Sequence, residues 1–241
     1  MPEGPHLSVV IPAFNEAGRL GATLEAVAAF LHKPEQPGWG EIVVVDDGSR
    51  DGTARLAEEF VPPSGVTVRA LRLAGHLGKG GAVREGLVAS RGDWVLVCDA
   101  DLATPIEEVE ALFASGAAVA AGSRALRREL IGRRQPPARD ALGRLFNLAL
   151  RFLGLTALRD TQCGFKLIEG NLARRLGGLM RLDGFAFDVE LLARAKGLGA
   201  RVVEVPVRWF HMDQSTVRPL RHGLEMLRDS LRVRWWLWTG H

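Results

Sequence analysis

Apolar runs alternate with helical patterns along the first half of the chain. Runs rich in β-branched residues predict strands at residues 7–12, 41–46, 66–73, 93–98 and 117–122. Between them, apolar residues at helical spacing predict helices at 16–31, 53–60, 80–90 and 105–114. Strands separated by single helices are typical of βαβ units. The pattern therefore predicts an α/β fold with a single Rossmann-like, mostly parallel sheet that is flanked by helices.

The pattern changes after residue 122. Arginines crowd the stretch that follows and indicate a basic loop: Arg124, Arg127, Arg128, Arg133, Arg134, Arg139 and Arg144. Beyond it we predict a helix at 139–153, a strand at 164–168, a helix at 188–197 and a strand at 202–207. A last helical pattern covers residues 216–238 and is amphipathic. We expect one domain over residues 1–241, with two halves at 7–122 and 123–215 and a closing helix at 216–238.

Composition excludes several classes of protein. The 241 residues are 47% hydrophobic and 24% charged, which is ordinary for a globular protein and excludes a disordered or collagen-like chain. Two cysteines, Cys98 and Cys163, are too few for a disulfide framework and favour a reducing, cytoplasmic setting. No run of about 18 apolar residues is present, so we expect no membrane-spanning helix.

Polar side chains follow four of the predicted strands. They occur in the segments 12–16, 46–49, 76–81 and 99–101. Ligands of open α/β sheets bind at the carboxyl ends of the strands. Because neighbouring carboxylates repel each other, we expect a positive group or a hydrogen-bonding ligand to offset them.

Asp99-Ala100-Asp101 is the most specific of these segments. Two carboxylates separated by one residue, directly after an apolar strand, suit a hard divalent cation such as Mg²⁺. Such an ion would neutralise charge on a leaving diphosphate. The alternative is a solvated pair of aspartates in a turn.

The other strand ends leave alternatives open. Asp46 and Asp47 suit a nucleobase and ribose, or form an Asx-turn. Lys79 reaches a phosphate, or is a surface lysine, and its glycine-rich segment does not match the P-loop spacing. Asp188 and Glu190 supply a general base, or are acids at a helix N-terminus. Asn15 is predicted to cap the helix that begins at residue 16.

Together these segments resemble the family 2 glycosyltransferases with the GT-A fold. The resemblance rests on residues 12–16, 46–53, 78–80 and 99–101. Residues 160–167, 187–192 and 204–209 are similar to the dolichyl-phosphate β-glucosyltransferase branch, which moves glucose from UDP-glucose to a polyprenyl phosphate. The likeness extends from residue 7 to about residue 236 and implies a nucleotide-sugar-binding half at 7–122 and an acceptor-side half at 123–215.

The resemblance implies a role for particular residues. The nucleotide-sugar site would contain Pro12, Ala13, Glu16, Asp46, Asp47, Lys79, Asp99 and Ala100. Mg²⁺ or Mn²⁺ would bind Asp99 and Asp101, together with His211, which stands where related sequences often have an acid. The acceptor site would contain Arg124, Arg139, Gln162, Gly164, Lys166 and Ser215. The catalytic set would be Asp99, Asp101, Arg124, Asp188 and Glu190.

The expected reaction is inverting, metal-assisted transfer of glucose from UDP-glucose to a polyprenyl phosphate. A phosphate monoester has a second pKa of about 6, so the acceptor is already a nucleophile and needs no strong base. Asp188 or Glu190 would orient the sugar or steady an arginine. If the acceptor is instead a hydroxyl, one of them becomes the base. The alternatives are a soluble family 2 enzyme that acts on a small acceptor, GDP-mannose as the donor, and a non-catalytic sugar-nucleotide-binding module.

The last helix predicts a contact with an anionic membrane. Arginines flank its apolar stripe and tryptophans end it: Arg218, Arg221, Arg228, Arg232, Arg234, Trp235, Trp236 and Trp238. This combination predicts a peripheral protein on the inner face of the cell membrane. In the alternative, the stripe at Leu220, Leu224, Leu227 and Leu231 packs on the protein core. No nucleic-acid-binding module is recognisable, so we expect no nucleic-acid partner.

Overall fold

The structure is a computed structural model that describes residues 6–33, 39–133, 137–211 and 219–239. Side chains are not described for Arg133, for residues 137–140 or for residues 219–222.

Strands and helices alternate through most of the described residues. The strands are β1 Leu7–Ala13, β2 Gly40–Asp46, β3 Val66–Arg72, β4 Trp94–Val97, β5 Val119–Ser123, β6 Ile131–Arg133, β7 Lys166–Glu169, β8 Val202–Pro206 and β9 Trp209–Phe210. The helices are α1 Ala17–Leu31, α2 Thr53–Glu59, α3 Lys79–Ala89, α4 Val109–Ala114, α5 Pro137–Phe152, α6 Gly170–Leu179, α7 Phe187–Gly197 and α8 Pro219–Thr239. Single 3₁₀ turns lie at Ile106–Glu108 and Arg128–Leu130.

A seven-stranded sheet forms the centre of the molecule. Its order is β3-β2-β1-β4-β7-β5-β8, and β7 runs antiparallel to both of its neighbours while the other pairs are parallel. Every residue of β1 and β2 is buried, because helices cover both faces of the sheet there. The mostly parallel α/β sheet that the sequence predicts is thus confirmed.

Three apolar clusters fix the layers. One lies on the face of the sheet covered by α1, α2 and α4, and a second lies on the opposite face under α3, α6 and α7. The third joins α5, α7 and α8, with Val189 of α7 and Val233 and Trp236 of α8 among its members. Helix α7 therefore belongs to two clusters and links the sheet to the C-terminal helix.

Some elements differ from the sequence prediction. The helix predicted at 105–114 begins as a 3₁₀ turn, and the strand predicted at 164–168 begins at Lys166. Helix α6 was not predicted, since three of its ten residues are glycines with low helix propensity. Strands β6 and β9 pair in a separate sheet and are too short to produce an alternating pattern.

The C-terminal helix presents its apolar stripe to the outside. The exposed fractions are 73% for Leu224, 37% for Leu227 and 50% for Leu231, so these three leucines do not pack on the core as the alternative predicts, and the side chain of Leu220 lies outside what the structure describes. The buried face of α8 instead contains Ser230, Val233 and Trp236. Among the described residues, none of the helices has the length and apolar content needed to cross a membrane.

Two glycine substitutions test how tightly the helices pack on the sheet. A Cβ at Gly86 of α3 would overlap Val10 and lie 3.0 Å from Val45, whereas a Cβ at Gly143 of α5 would meet no atom within 4 Å. We expect Gly86→Ala to lower the free energy of unfolding by about 1–3 kcal/mol. We expect Gly143→Ala to raise it by up to about 1 kcal/mol. Urea denaturation measures both, and equal effects of the two substitutions would contradict this account of the packing.

Candidate functional site

Strands β1, β2 and β4 are parallel neighbours and end at the same edge of the sheet. This edge carries residues 14–16 after β1, Asp46 and Asp47 at the end of β2, and residues 99–101 after β4. The N-terminus of α3, which begins at Lys79, lies at the same edge. The sequence prediction that these polar segments come together is therefore correct in geometry.

Lys79 and Asp99 form the central ion pair of the site. Lys79 Nζ donates to Asp99 Oδ1 at 2.6 Å and lies 5.9 Å from the centre of the Phe187 ring. Burial opposes the charged ammonium, but the attraction of Asp99 and Asp188 outweighs it and raises the pKa of Lys79. Burial likewise opposes the charged form of Asp99, and the nearby Lys79 outweighs it and lowers the pKa of Asp99. Both groups are therefore charged at neutral pH.

Asp101 is much less well compensated. Its Oδ1 accepts the backbone N–H of Ala103 at 3.1 Å, and its nearest described cation is Arg19, with Nη1 3.8 Å from Oδ2. Burial and the charge of Asp99 raise the pKa of Asp101. The turn that carries it is fixed by Ala100, whose carbonyl accepts the Thr23 hydroxyl at 2.7 Å. Because burial and Asp99 make the charged form of Asp101 less favourable, a cation bound beside Asp101 would stabilise it.

The two aspartates that end β2 are used differently. Asp47 accepts the backbone N–H groups of Leu77 and Gly78 at 2.7 and 2.8 Å and lies 2.8 Å from His76 Nδ1. Asp46 is 4% exposed, and its Oδ1 has no hydrogen-bond partner among the described residues. Because a buried oxygen without a donor costs free energy, Asp46 is the member of the pair that is free to bind a ligand.

The end of β1 supports the site through its backbone. Pro12 and Ala13 are buried, and the Ala13 carbonyl accepts the Asp47 N–H at 2.9 Å. Glu16 forms an ion pair with Arg19 in the first turn of α1. These three predicted nucleotide-site residues therefore lie at the edge, with Glu16 committed to a neighbour.

The cap of α1 is provided by residues that sequence reasoning missed. Asp51 accepts the N–H of Ala17 at 3.0 Å, and Thr53 accepts the N–H of Glu16 at 2.8 Å. Asn15 itself has φ +56° and accepts the N–H of Arg50, so the prediction that Asn15 caps this helix is wrong. The loop after β2 thus closes over the end of β1.

On the acceptor side, Arg124 is held rigidly. Its guanidinium makes two hydrogen bonds to Asp160, at 2.7 and 2.8 Å, and lies 5.4 Å from the Trp209 ring centre. The same carboxylate accepts the backbone N–H of Gln162 at 3.1 Å. A bidentate arginine pair of this kind fixes the orientation of the guanidinium, which retains further N–H donors.

Gly164 touches the centre of the site. A Cβ at this position would overlap the carboxylate of Asp99, so only glycine lets the chain approach so closely. Gly164, a residue of the predicted acceptor site, therefore lies directly against Asp99.

Lys166 and Asp188 form a buried pair behind the site. Lys166 Nζ lies 2.5 Å from Asp188 Oδ1 and 2.5 Å from the Cys163 carbonyl, and its side chain is 1% exposed. Burial raises the pKa of Asp188, although Lys166 opposes this shift. An ammonium enclosed in this way does not face an acceptor, so we correct the predicted acceptor-binding role of Lys166. Asp188 is likewise too enclosed to serve as a general base.

Glu190 is committed to the protein backbone. It is fully buried, and its carboxylate accepts the N–H groups of Arg181 and Leu182 and the Nε–H of Arg194. Of its predicted roles, this geometry agrees with the one in which Glu190 steadies an arginine, and its buried carboxylate does not suit a base.

The remaining predicted residues do not join this group. The described residues contain no cluster of three or more His, Cys, Asp or Glu side chains suited to a metal ion, so His211 does not complete a site with Asp99 and Asp101. Its ring instead lies 5.8 Å from that of Trp209. The Arg139 side chain and the whole of Ser215 lie outside what the structure describes.

Comparison with known proteins shows what this chain is similar to. Residues 8–176 match the family model of glycosyl transferase family 2. A dolichyl-phosphate beta-glucosyltransferase of Homo sapiens is 37% identical over 248 residues, which cover 97% of this chain and 76% of that protein.

Solved structures share the fold. Mannosyl-3-phosphoglycerate synthase from Rubrobacter xylanophilus has a TM-score of 0.66 at 20% identity, over 98% of this chain and 75% of that one. Glucosyl-3-phosphoglycerate synthase from Mycobacterium tuberculosis, solved with Mn²⁺, uridine diphosphate and glucosyl-3-phosphoglycerate, has a TM-score of 0.60 at 23% identity, over 95% and 78%.

Replacing the two aspartates after β4 should change stability in opposite directions. The pKa of Asp101 is raised on folding, so its charged form opposes folding, and Asp101→Asn should raise Tm at neutral pH. This gain should vanish as the pH falls below the usual range of Asp, where Asp101 is protonated in both states. The pKa of Asp99 is lowered, so Asp99→Asn should cost about 1–3 kcal/mol at neutral pH by leaving Lys79 without its nearest partner. Calorimetry in the presence of a chelator measures the Tm of both variants. A rise in Tm for both, or a fall for both, would contradict the prediction.

Proposed function

The chain belongs to glycosyl transferase family 2 and is a glycosyltransferase, and from this premise we propose that it transfers glucose from UDP-glucose to a polyprenyl phosphate such as dolichyl phosphate. The observation that carries the proposal is the likeness to dolichyl-phosphate beta-glucosyltransferases, which runs over nearly the whole chain and includes the acceptor-side segment. The polar edge formed after β1, β2 and β4 supports it, because a nucleotide sugar needs such an edge.

Asp46 is the proposed recognition point for the nucleobase. Its buried, unpartnered oxygen accepts an N–H, and the imide N–H of uracil is a donor of that kind. Guanine also presents N–H donors, so GDP-mannose remains the second candidate donor. Asp47 supports the site by holding residues 76–78 in place.

Asp99 and Asp101 are the proposed ligands of Mg²⁺ or Mn²⁺. Both are hard oxygen donors, and the raised pKa of Asp101 supports the need for a nearby positive charge. When bound, the ion supplies electrostatic stabilisation of the leaving nucleoside diphosphate. Lys79 holds Asp99 in place through its hydrogen bond to Oδ1.

The chemistry requires no general base from the protein. An oxygen of the dianionic acceptor phosphate attacks the anomeric carbon with inversion, while the bond from that carbon to the diphosphate oxygen breaks and UDP leaves. The burial of Asp188 and Glu190 supports this, because neither side chain faces an acceptor. The fixed guanidinium of Arg124 is the proposed partner of the incoming phosphate, and Gln162 and Gly164 border the sugar.

An exposed apolar surface supports a membrane-bound acceptor. Helices α5 and α8 pack together, and each turns apolar side chains outward; we call these residues the outer stripe: Leu145, Leu148, Phe152, Leu224, Leu227, Leu231, Trp235 and Trp238. Arg228 and Arg234 are exposed on the same helix. Exposed aromatics beside arginines suit the headgroups of an anionic membrane, so we propose that the outer stripe rests on the inner face of the cell membrane.

One assay separates this function from the alternatives. Release of UDP from UDP-glucose should require both a divalent cation and polyprenyl phosphate. Equal release with a water-soluble phosphate favours the soluble enzyme. Binding of UDP-glucose without release under any condition favours a non-catalytic module. Faster turnover of GDP-mannose would replace the proposed donor.

Loss of Asp101 should abolish transfer without unfolding the protein. Asp101→Ala removes one proposed metal ligand, and we expect kcat to fall by at least about a hundredfold. Asp93→Ala is the matched control, because Asp93 lies just before the opposite end of β4 and is half exposed. Initial rates with saturating Mn²⁺ measure the effect. Wild-type turnover by Asp101→Ala, or by the native protein in excess chelator, would disprove the metal site.

Reversing the charge of the C-terminal arginines should release the protein from anionic membranes. Each such arginine contributes about 1 kcal/mol, so changing Arg228, Arg232 and Arg234 to Glu should weaken binding to phosphatidylserine vesicles by at least about a hundredfold. The control changes three exposed arginines elsewhere to Glu, namely Arg55, Arg72 and Arg201. Vesicle sedimentation measures the difference. Equal binding of the two triple variants would contradict a contact through α8.

A further inference from the structure

Glu190 organises the backbone that precedes α7. Its carboxylate accepts the N–H of Arg181 through both oxygens, at 3.1 and 3.0 Å, and the N–H of Leu182 at 2.8 Å. Arg194, one turn further along α7, balances its charge through Nε at 2.8 Å. A carboxylate that accepts several backbone N–H groups fixes the path of the chain that carries them. Residues 181 and 182 are therefore held against α7.

The next residue, Asp183, forms hydrogen bonds with the start of α3. Its carbonyl accepts the N–H groups of Gly80 and Gly81 at 2.7 and 3.3 Å. Its carboxylate accepts from Nη1 of Arg84, one turn further along the same helix, at 2.7 Å. The first turn of α3 is thus bonded to the segment that Glu190 shapes.

The contact between these two segments leaves no room for side chains. A Cβ at Gly78 would lie 2.5 Å from the Asp183 carbonyl, and one at Gly80 would lie 2.7 Å from Cβ of Phe187. Gly78 also has φ +113°, which favours glycine. Lys79 lies between these two glycines, so its backbone position follows that of residues 181–183.

We infer that Glu190 is a positioning residue for glycosyl transfer, an inference that rests on the proposed function: its carboxylate shapes residues 181–183, which hold the start of α3 and set the Lys79 ammonium beside Asp99. In this inference Glu190 does not contact the substrate itself. The connection runs through backbone hydrogen bonds from Gly80 and Gly81, which directly follow Lys79, and the Lys79 Nζ lies 2.6 Å from Asp99.

A double-mutant cycle tests whether Glu190 acts through Lys79. Glu190→Gln keeps the size of the side chain and removes its charge. We expect it to lower kcat/KM about tenfold in the native protein and less than about twofold in a Lys79→Met background, because the two residues act on one route. Equal losses in the two backgrounds would overturn the inference, since a general loss of stability adds independently of Lys79.

Asp183→Ala covers the case in which Glu190→Gln does not fold. It removes the half-exposed carboxylate that binds Arg84 and leaves the backbone carbonyl in place. We expect the same dependence on Lys79. Glu59→Ala is the control, because it breaks an exposed ion pair with Arg55 in α2 that has the same length of 2.7 Å, and it should leave kcat/KM unchanged.

Amide hydrogen exchange separates this inference from the proposed function. We expect the amides of Gly80 and Gly81 to exchange about tenfold faster in Glu190→Gln or Asp183→Ala and at the native rate in Glu59→Ala. Native exchange rates in both test variants would overturn the inference. If the native protein transfers no sugar, the proposed function fails, while these exchange rates still show whether Glu190 holds the start of α3.

Discussion

The ion pair between Lys79 and Asp99 is the interaction on which the polar edge of the sheet depends. Parallel strands bring several carboxylates to one edge, and carboxylates in a shared cleft repel each other. Lys79 lies between two of them, because it hydrogen-bonds to Asp99 and also attracts Asp188. Lys166 neutralises Asp188 from behind. Negative and positive groups therefore alternate from the cleft into the interior, and Asp101, at the outer end of this series, is less well compensated than Asp99 or Asp188.

This alternation needs close backbone approach as well as charge. Gly164 lets the segment before β7 pass against Asp99, and Gly80 lets the start of α3 pass against α7. Side chains at either position would separate the charged groups, and the attraction between opposite charges falls as they move apart. Small residues and buried charges thus serve one purpose, which is to keep the central ion pair short.

The sequence predicted the first half of the fold well and the interior of the site less well. Continuous apolar runs such as residues 42–45 are unambiguous, and the polar segments after them mark the edge of the sheet. Burial of a charge is not visible in the same way. Lys166 and Glu190 have the residue types of a binding or catalytic site, but Asp188, which pairs with Lys166, and Arg181, whose N–H bonds to Glu190, are 22 and 9 residues away and meet them only in the folded chain. The resemblance pointed to segments that the fold brings to one edge of the sheet, but it could not distinguish residues that support the site from residues that face it, because that difference depends on contacts in the folded chain.

Helix α7 connects the two surfaces that a lipid-linked reaction requires. Phe187 and Leu191 pack under the sheet, whereas Val189 and Ala193 pack towards α5 and α8. The helix is buried along almost its whole length, so close packing fixes its position relative to the layers on either side. Helix α7 therefore contacts Lys79 through Phe187 and, through Val189 and Ala193, packs with the helices that carry the outer stripe. If the outer stripe rests on a membrane, the packing of α7 fixes the height of the polar edge above the lipid headgroups, and the phosphate of a lipid acceptor meets the donor at a distance that the fold determines.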